Sequence, residues 1–521
     1  MPEPAMHLVT TSNEAFRALM STRARLLLDA AGYLRAHPAV RTALTRPLVG
    51  RLLSQSTQLE ELLDAYGASR NGTWCRLRAQ MAALKRFAGV SYVLLHIRHV
   101  LPSYRLFEIE HDFRQATDDA LAFSGSVLYE TSNRLWAHAA ELGLELPGQT
   151  QDESLYAEPL PAGRLLADRE DSLAIAQRRS VGEIVTHLAT AFLNLAVKGE
   201  VIHAAARTRP EDYRDHLPES ITETHLRHLE ISFHNLQALY DTYVTDTRTE
   251  RLDTDLPVLR GHISVVYHLL EIATQLVHYE ERHVSCHGAS RGPALVDRDG
   301  LIRVLMEYAL AFASYYLASA ENLCRTMLKR YAEVAEVLVS APRYRGFHVR
   351  PSTLVAKIVN HYGSEVIMSL DGERYDASTP LEIFRANEKI NAAKRRWLAA
   401  EVLRCDCLSG RINGNGVNAK ELARRLVSEL AEQGKVVIYE KPLKMPDSQA
   451  PTEGVLTDWV IDELARLQAL GKIDIQTELP VTFIGDRRVL SDIEILARCG
   501  YGEDLMGNNI PLPPEIGYLR R

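Results

Sequence analysis

The sequence has few cysteines and no long uninterrupted apolar run. Six cysteines occur in 521 residues, without the spacing of a disulfide framework, so we expect a reduced, cytoplasmic protein. No stretch reaches the roughly 18 consecutive apolar residues that a transmembrane helix needs. The start of the chain also lacks the basic-then-apolar layout of a signal peptide. Membrane insertion and secretion are therefore not expected.

An excess of charge of one sign is also missing. Sixty Lys and Arg residues against 67 Asp and Glu residues give a net charge of −7. No global basic excess exists that would attract nucleic acid or an anionic membrane. The 46% of hydrophobic residues and 24% of charged residues are typical of a folded globular protein. The length predicts roughly two to four domains.

Apolar residues at helical spacing dominate the first two thirds of the chain. They predict helices over 45–66, 73–101, 109–143, 171–207, 220–246, 256–285 and 300–336. Thr11-x-x-Glu14 and Ser220-x-x-Glu223 match the capping box, and Asp299 is a candidate cap for the last helix. We predict a helical domain at 1–146, a linker rich in Pro, Gly and acidic residues at 147–170, and a second helical bundle at 171–335.

The period of the apolar pattern changes near residue 337. A short apolar run at 337–339 and the alternating segment 364–370 predict strands, and Asp371-Gly372 predicts a hairpin turn. Further patterns predict helices over 379–404, 418–433 and 456–470 and strands over 435–440 and 480–484. The predicted fold class is mainly α: a large helical-bundle region, an α/β domain at 336–440 and a small α/β extension at 441–521.

One motif combines groups that suit phosphate chemistry, Gly346-Phe347-His348-Val349-Arg350-Pro351-Ser352. A helix beginning at Pro351 would leave free N–H groups and a positive dipole end near His348, which together form an anion site. Arg350 adds a forked cation suited to phosphate oxygens. Imidazole is a competent nucleophile at neutral pH. This motif could hold a phosphoryl group covalently on a ring nitrogen without a metal.

The motif and its flanks resemble HPr, the histidine-containing phosphocarrier of the sugar phosphotransferase system. The segment from Glu336 to Pro342 is similar to the first strand of that family, 351–362 to its first helix and 364–372 to its second strand and turn. The resemblance implies an open-faced α/β sandwich near 336–440. It also implies that His348 is phosphorylated on the ring nitrogen nearer the backbone, that Arg350 stabilises the phosphate and that the backbone N–H groups of Ser352 and Thr353 assist.

The chain departs from the HPr pattern after Thr379. HPr continues with a short helix, a fourth strand and a long closing helix, whereas here a longer helix precedes another helix and then a strand, so an insertion or a rearrangement is expected. Thr379 falls where many family members have a regulatory serine. Because Thr379 and Glu382 also match a capping box, a structural cap is the preferred interpretation of Thr379.

Two E-x-x-H pairs lie on predicted helices, Glu200 with His203 and Glu280 with His283. A carboxylate and an imidazole three residues apart share a helical face, and di-iron bundles use such pairs. Such short patterns are frequent in a chain with 19 histidines, so solvated or capping roles are preferred and no metal or other cofactor is expected. Cys405-x-Cys407 is interpreted as two reduced cysteines, the glycines of 410–416 as a loop, and Lys394-Arg395-Arg396 as the solvated face of a helix.

Three hypotheses about function follow from these patterns. The first is a phosphocarrier or phosphorylation-responsive regulator, with an enzyme I-like protein as donor and an unknown protein as acceptor. The second is a scaffold or binding protein with a degenerate HPr-like domain. The third is a metal-dependent enzyme in the helical region that this domain regulates. No nucleic acid partner is expected, and the sequence leaves a homo-oligomer open.

Overall fold

A computed structural model describes residues 10–38, 44–148, 153–158, 181–215, 217, 220–284, 294–404, 419–445 and 456–520. These residues are mainly helical, with a small antiparallel sheet. The chain divides into two compact units, Met1–Cys324 and Arg325–Arg521.

The first unit contains helices only, among the residues that are described. The helices are α1 (Asn13–Ala36), α2 (Arg46–Ala65), α3 (Cys75–Val100), α4 (Phe113–Glu141), α5 (Val181–Lys198), α6 (Glu200–Ala206), α7 (Glu223–Tyr243), α8 (Arg248–Leu252), α9 (Leu256–Tyr279), α10 (Arg298–Arg303) and α11 (Ala311–Arg330), whose last residues belong to the second unit. Glu280–Val284 and Val304–Leu310 are π-helical continuations.

The central helix of this unit is α3, which is buried over most of its length and packs against α2, α4 and α9. Because α9 belongs to the predicted second bundle, the predicted division into two bundles is wrong, and one compact unit is found. Most of the predicted linker lies outside the described residues. Its described part contacts the start of α2, where Glu158 accepts a hydrogen bond from the Arg46 amide at 2.8 Å.

Three predicted caps are corrected by one or two residues. Ser12 caps α1, Thr222 caps α7 and Asp297 caps α10, each by accepting a hydrogen bond from a backbone N–H of the first turn. In each case a second cap-forming residue lies one or two positions from the predicted one, and the sequence pattern does not distinguish them. The long predicted helix at 171–207 is divided at Gly199 in its described part.

The second unit contains an antiparallel sheet and a smaller two-stranded ribbon. Its elements are β1 (Val334–Ser340), α12 (Val349–Tyr362), β2 (Val366–Leu370), β3 (Glu373–Asp376), α13 (Pro380–Arg404), α14 (Ala419–Glu432), β4 (Val436–Ile438), α15 (Leu456–Ala469), β5 (Ile473–Ile475), β6 (Pro480–Asp486) and α16 (Arg487–Arg498). The predicted hairpin is confirmed: Asp371 and Gly372 join β2 and β3 with positive φ values of 49° and 78°.

The order of strands in the larger sheet is β1-β6-β2-β3. Strand β6 lies between β1 and β2, with Val337 opposite Phe483 on one side and Met368 opposite Phe483 on the other. The predicted boundary at residue 440 is therefore wrong, because β6 and the helix α16 that covers it complete the sheet from within the predicted C-terminal extension.

The segment 405–479 joins α13 to β6, and we call it the insertion. Its described elements α14, β4, α15 and β5 have a core of their own, which includes Leu426, Leu464 and Ile473. Leu398 and Val402, near the end of α13, belong to this core. The first part of α13 packs near the sheet instead, with contacts to β2 and β3. The unusual length of α13 follows from this double role.

Candidate functional site

The seven-residue motif Gly346–Ser352, which we call the heptad, lies at the amino end of α12. His348 is the N-cap residue, with extended backbone angles and no side-chain capping bond, so its imidazole is left for other contacts. The helix begins at Val349, two residues earlier than predicted. Pro351 therefore lies within the first turn, where its missing N–H breaks no helical hydrogen bond.

The imidazole of His348 contacts a buried carboxylate from near the end of the chain. Its Nε2 lies 2.7 Å from Oε2 of Glu503, whose side chain is only 7% exposed. The ring is 21% exposed and stands edge-on to Tyr344, with 5.3 Å between the ring centroids. Because an ionised carboxylate only accepts hydrogen bonds, this contact favours a proton on Nε2, and in the neutral ring the lone pair is then on Nδ1.

Arg350 is held against the same carboxylate. Its Nε lies 3.7 Å from Oε1 of Glu503, and its Nη1 donates a hydrogen bond to the side-chain oxygen of Asn509. The structure therefore brings the two main predicted residues, His348 and Arg350, to one acidic partner. Neither Glu503 nor Asn509 was predicted, since both lie more than 150 residues along the chain.

The predicted contribution of Ser352 to phosphate binding is wrong. Its amide donates to the carbonyl of His348 at 3.2 Å and its hydroxyl donates to the carbonyl of Phe347 at 2.9 Å. The hydroxyl of Thr353 donates to the carbonyl of Val349 at 2.7 Å. The amides of Val349 and Arg350 precede the first helical hydrogen bond and are the ones that face outward at the helix start.

The loop before His348 needs two residues in the left-handed region, Arg345 with φ of 51° and Gly346 with φ of 62°. A Cβ atom at Gly346 would meet Oδ1 of Asn387 at 2.1 Å, and the positive φ would strain any other residue, so glycine is favoured here. Asn387 also donates to the carbonyl of Arg345 at 3.0 Å. The hydrogen bond from Asn387 therefore links the loop to α13 at the left-handed residues Arg345 and Gly346.

A buried ion pair lies beneath this loop. Nζ of Lys394 lies 3.0 Å from Oδ1 of Asp474, and both side chains are nearly inaccessible to solvent. Asp474 also accepts the amide N–H of Arg345 at 2.7 Å. The interpretation of Lys394 as part of a solvated face is wrong, because Asp474 arrives on β5 of the insertion.

The segment that carries Glu503 is also shaped by left-handed residues. Gly500, Tyr501 and Gly502 all have positive φ, a conformation that costs energy at a tyrosine. Two contacts of the buried Tyr501 offset this cost. Its ring packs edge-on against Phe347, with 5.4 Å between the ring centroids, and its hydroxyl donates a hydrogen bond to the carbonyl of Ser340 at 2.9 Å. Tyr501 therefore places Glu503 beside the heptad.

Thr379 does not form the predicted capping box. Hydrogen bonds from Ser378 are the main cause of a lowered pKa at the Asp376 carboxyl, and a hydrogen bond from the Thr379 side chain adds to the effect. Oε1 of Glu382 instead lies 2.6 Å from Nη1 of Arg385. The helix still begins at Pro380 as predicted. Thr379 is exposed, and its regulatory role stays a prediction.

The two E-x-x-H pairs do not form a metal site. Oε1 of Glu200 forms an ion pair with Nη2 of Arg207 at 2.9 Å. Nδ1 of His203 instead lies 2.7 Å from Oγ of Ser314. The buried Glu280 pairs with Arg298 at 2.6 Å. His283 contacts Arg78 instead, at 3.5 Å. Within the described parts of the chain, no group of three or more His, Cys, Asp or Glu residues is arranged to hold a metal ion. Cys405, Cys407 and the glycines of 410–416 lie outside the described residues.

Comparisons with models of protein families, with curated proteins and with solved structures find no match to this chain. Among the residues searched, one helix, Arg298–Arg330, is long and apolar enough to cross a membrane, but 67% of its most apolar window is buried in the protein. A core helix of a soluble protein passes the same test. The cytoplasmic location stays a prediction from the cysteine content.

Proposed function

We propose that the unit Arg325–Arg521 is an HPr-like phosphocarrier module in which Nδ1 of His348 accepts a phosphoryl group from an enzyme I-like donor. The observation that carries the proposal is the contact of 2.7 Å between Nε2 of His348 and Glu503. That contact favours the tautomer in which the nitrogen nearer the backbone has the lone pair. The same nitrogen is the one that the resemblance to HPr implies.

The order of elements supports the resemblance over more of the chain than the heptad. After its third strand, which ends the hairpin, HPr continues with a helix, a fourth strand and a closing helix. In this chain α13, β6 and α16 follow in that order once the insertion at 405–479 is set aside. The insertion also accounts for the helix and strand at 419–438 that departed from the family pattern.

The chemistry balances with the groups at the site. The lone pair on Nδ1 attacks the phosphorus, the new N–P bond forms and the bond from phosphorus to the donor breaks. The ring keeps its proton on Nε2 and becomes cationic, and Glu503 stabilises that charge by accepting the hydrogen bond. Arg350 and the outward amides at the start of α12 offset the charge of nearly −2 that the phosphoryl group brings. Transfer to an acceptor reverses these steps.

The first prediction is that His348 carries the phosphoryl group. The full chain is incubated with enzyme I, phosphoenolpyruvate and magnesium, and the intact mass is measured. We expect an acid-labile phosphoryl adduct in the wild type and in His361→Gln, the control at the other histidine of this unit. We expect none in His348→Ala. Glu503→Gln should slow labelling by about 100-fold, because the carboxylate no longer selects the tautomer or stabilises the cationic ring.

Two results would contradict this proposal. An adduct that persists in His348→Ala would place the phosphoryl group elsewhere. The absence of an adduct, with ordinary HPr labelled in the same tube, would remove the standard donor and favour the function of a binding protein whose HPr-like module makes contacts only.

A further inference from the structure

A pocket of about 620 Å³ lies along α12, next to the heptad, and its charged lining is of one sign. Arg350 and Lys357 line it from α12, and Arg520 lines it from the closing turn Pro514–Arg520. Arg350, Leu354 and Lys357 are spaced by four and three residues, so they follow one face of the helix. No carboxylate is present in the described lining.

The floor of this pocket is apolar. Leu354, Leu512 and Leu519 line it, and each of these side chains is less than a tenth exposed. The volume lies in the range of small-molecule sites, which combine an apolar lining with a few placed polar groups. It is small for a folded partner. The lining therefore suits a compact ligand that has both an anionic group and an apolar body.

The cations are held in place rather than extended into solvent. Arg520 donates a hydrogen bond to the carbonyl of Leu512, which holds its guanidinium at the wall of the pocket. Arg350 donates from Nη1 to the side-chain oxygen of Asn509, and its Nε lies 3.7 Å from Oε1 of the buried Glu503. These two contacts fix the guanidinium at the pocket wall, so binding of an anion there requires little further ordering of this side chain.

We propose that this pocket binds a small organic phosphate, with the phosphate between Arg350, Lys357 and Arg520 and the apolar part against the leucine floor. Charge-assisted bonds from guanidinium groups to phosphate oxygens are among the strongest hydrogen bonds available. Binding at this site does not require phosphorylation of His348, so it stands independently of the proposed phosphocarrier function. The two are connected through Arg350, which both would engage.

The test is calorimetric titration of the full chain at low ionic strength with phenyl phosphate, inorganic phosphate and phenol as probes. We expect one-to-one binding of phenyl phosphate, weaker binding of inorganic phosphate and no binding of phenol. Lys357→Met and Arg520→Met should each weaken the binding of phenyl phosphate by about tenfold or more. Arg396→Met removes an exposed cation of the same unit outside this pocket, and it should change the affinity by less than about twofold.

Several results would overturn the proposal. These are the absence of saturable binding of phenyl phosphate at millimolar concentrations, and equal affinities in wild type, Lys357→Met and Arg520→Met. Equal affinities for inorganic phosphate and phenyl phosphate would show that the leucine floor adds nothing to binding, and this would overturn the proposal of an organic ligand. Because Arg520 also bonds the backbone, the melting temperatures of the variants are measured alongside. Lys357→Met changes an exposed position on α12, so it tests the pocket even if Arg520→Met unfolds.

Discussion

At the scale of single residues, the ion pair of Lys394 and Asp474 explains how a distant insertion shapes the heptad. Asp474 accepts hydrogen bonds from Nζ of Lys394 and from the amide of Arg345, the residue before the loop glycine Gly346. A buried charge without its partner is costly, because the protein interior solvates it poorly. The loop before His348 therefore depends on a side chain supplied by β5.

The second prediction follows from that pair. Lys394→Met should lower the free energy of unfolding of the second unit by about 3 kcal/mol, because the carboxylate of Asp474 stays buried with only N–H donors to balance it. Urea denaturation followed by tryptophan fluorescence measures the change, since Trp397 and Trp459 pack against the core of the insertion.

Arg396→Met is the matched control for this substitution. It removes an equal charge two residues along the same helix from an exposed pair with Asp371, 3.8 Å away, so its effect should be close to zero. Equal stability of Lys394→Met and Arg396→Met would show that the buried pair does not support the unit.

At the scale of elements, the close contact of β6 with β2 decides how the sheet is completed. Gly485 lies where a side chain has no room: a Cβ atom there would meet the carbonyl oxygen of Glu365 at 2.7 Å and Cγ2 of Val366 at 2.8 Å. Glycine inside a strand usually weakens it, and here it allows the neighbouring backbone to approach. The amphipathic pattern of β6 predicts a strand but not this neighbour.

The third prediction tests that contact. Gly485→Ala should destabilise the second unit by about 1–3 kcal/mol, because the neighbouring strand must shift to admit the methyl group. Thermal unfolding measured by circular dichroism reports the change in melting temperature. Gly517→Ala is the control, since nothing lies within 4 Å of the added Cβ there. An unchanged melting temperature in Gly485→Ala would mean that β2 and β6 are not packed this closely.

At the scale of the whole molecule, buried histidines make the helical unit sensitive to acid. Burial lowers the pKa of His96 to about 4, with the nearby positive charges of His268 and Arg46 adding to the effect and Glu271 opposing it. Burial is also the largest cause of lowered pKa values at His138, His262 and His278. These rings stay neutral in the folded unit at a pH where the unfolded chain binds protons.

The fourth prediction gives the sign of this effect. An unfolded histidine titrates near pH 6.5, so between about pH 6.5 and 4 the unfolded chain binds more protons than the folded unit. The contribution of a neutral His96 is therefore fully present above pH 6.5 and is lost as the pH falls towards 4. Urea midpoints at several pH values in this window should fall less steeply in His96→Gln than in the wild type. His99→Gln, at an exposed position of the same helix, should keep the slope of the wild type. Identical slopes in all three proteins would contradict the prediction.

The sequence by itself determined most helices and strands of this protein and the position of its reactive motif. Apolar periodicity and turn chemistry are local properties, so the hairpin at Asp371 and Gly372 and the helices α2, α3 and α13 could be predicted within a few residues. Likewise, His348 and Arg350 lie two residues apart in one short segment, so the sequence shows them together. The caps Ser12, Thr222 and Asp297 were missed only by the choice between cap-forming residues one or two positions apart.

Only the tertiary structure decided which distant segments meet that motif. Glu503, Asn509 and Asp474 reach it from loops and strands more than 120 residues along the chain. No local pattern distinguishes such residues from solvated ones, and Lys394 was misassigned for this reason. Whether a polar side chain is buried and paired depends on how elements pack, which is a long-range balance of burial and desolvation energies that sequence periodicity does not encode.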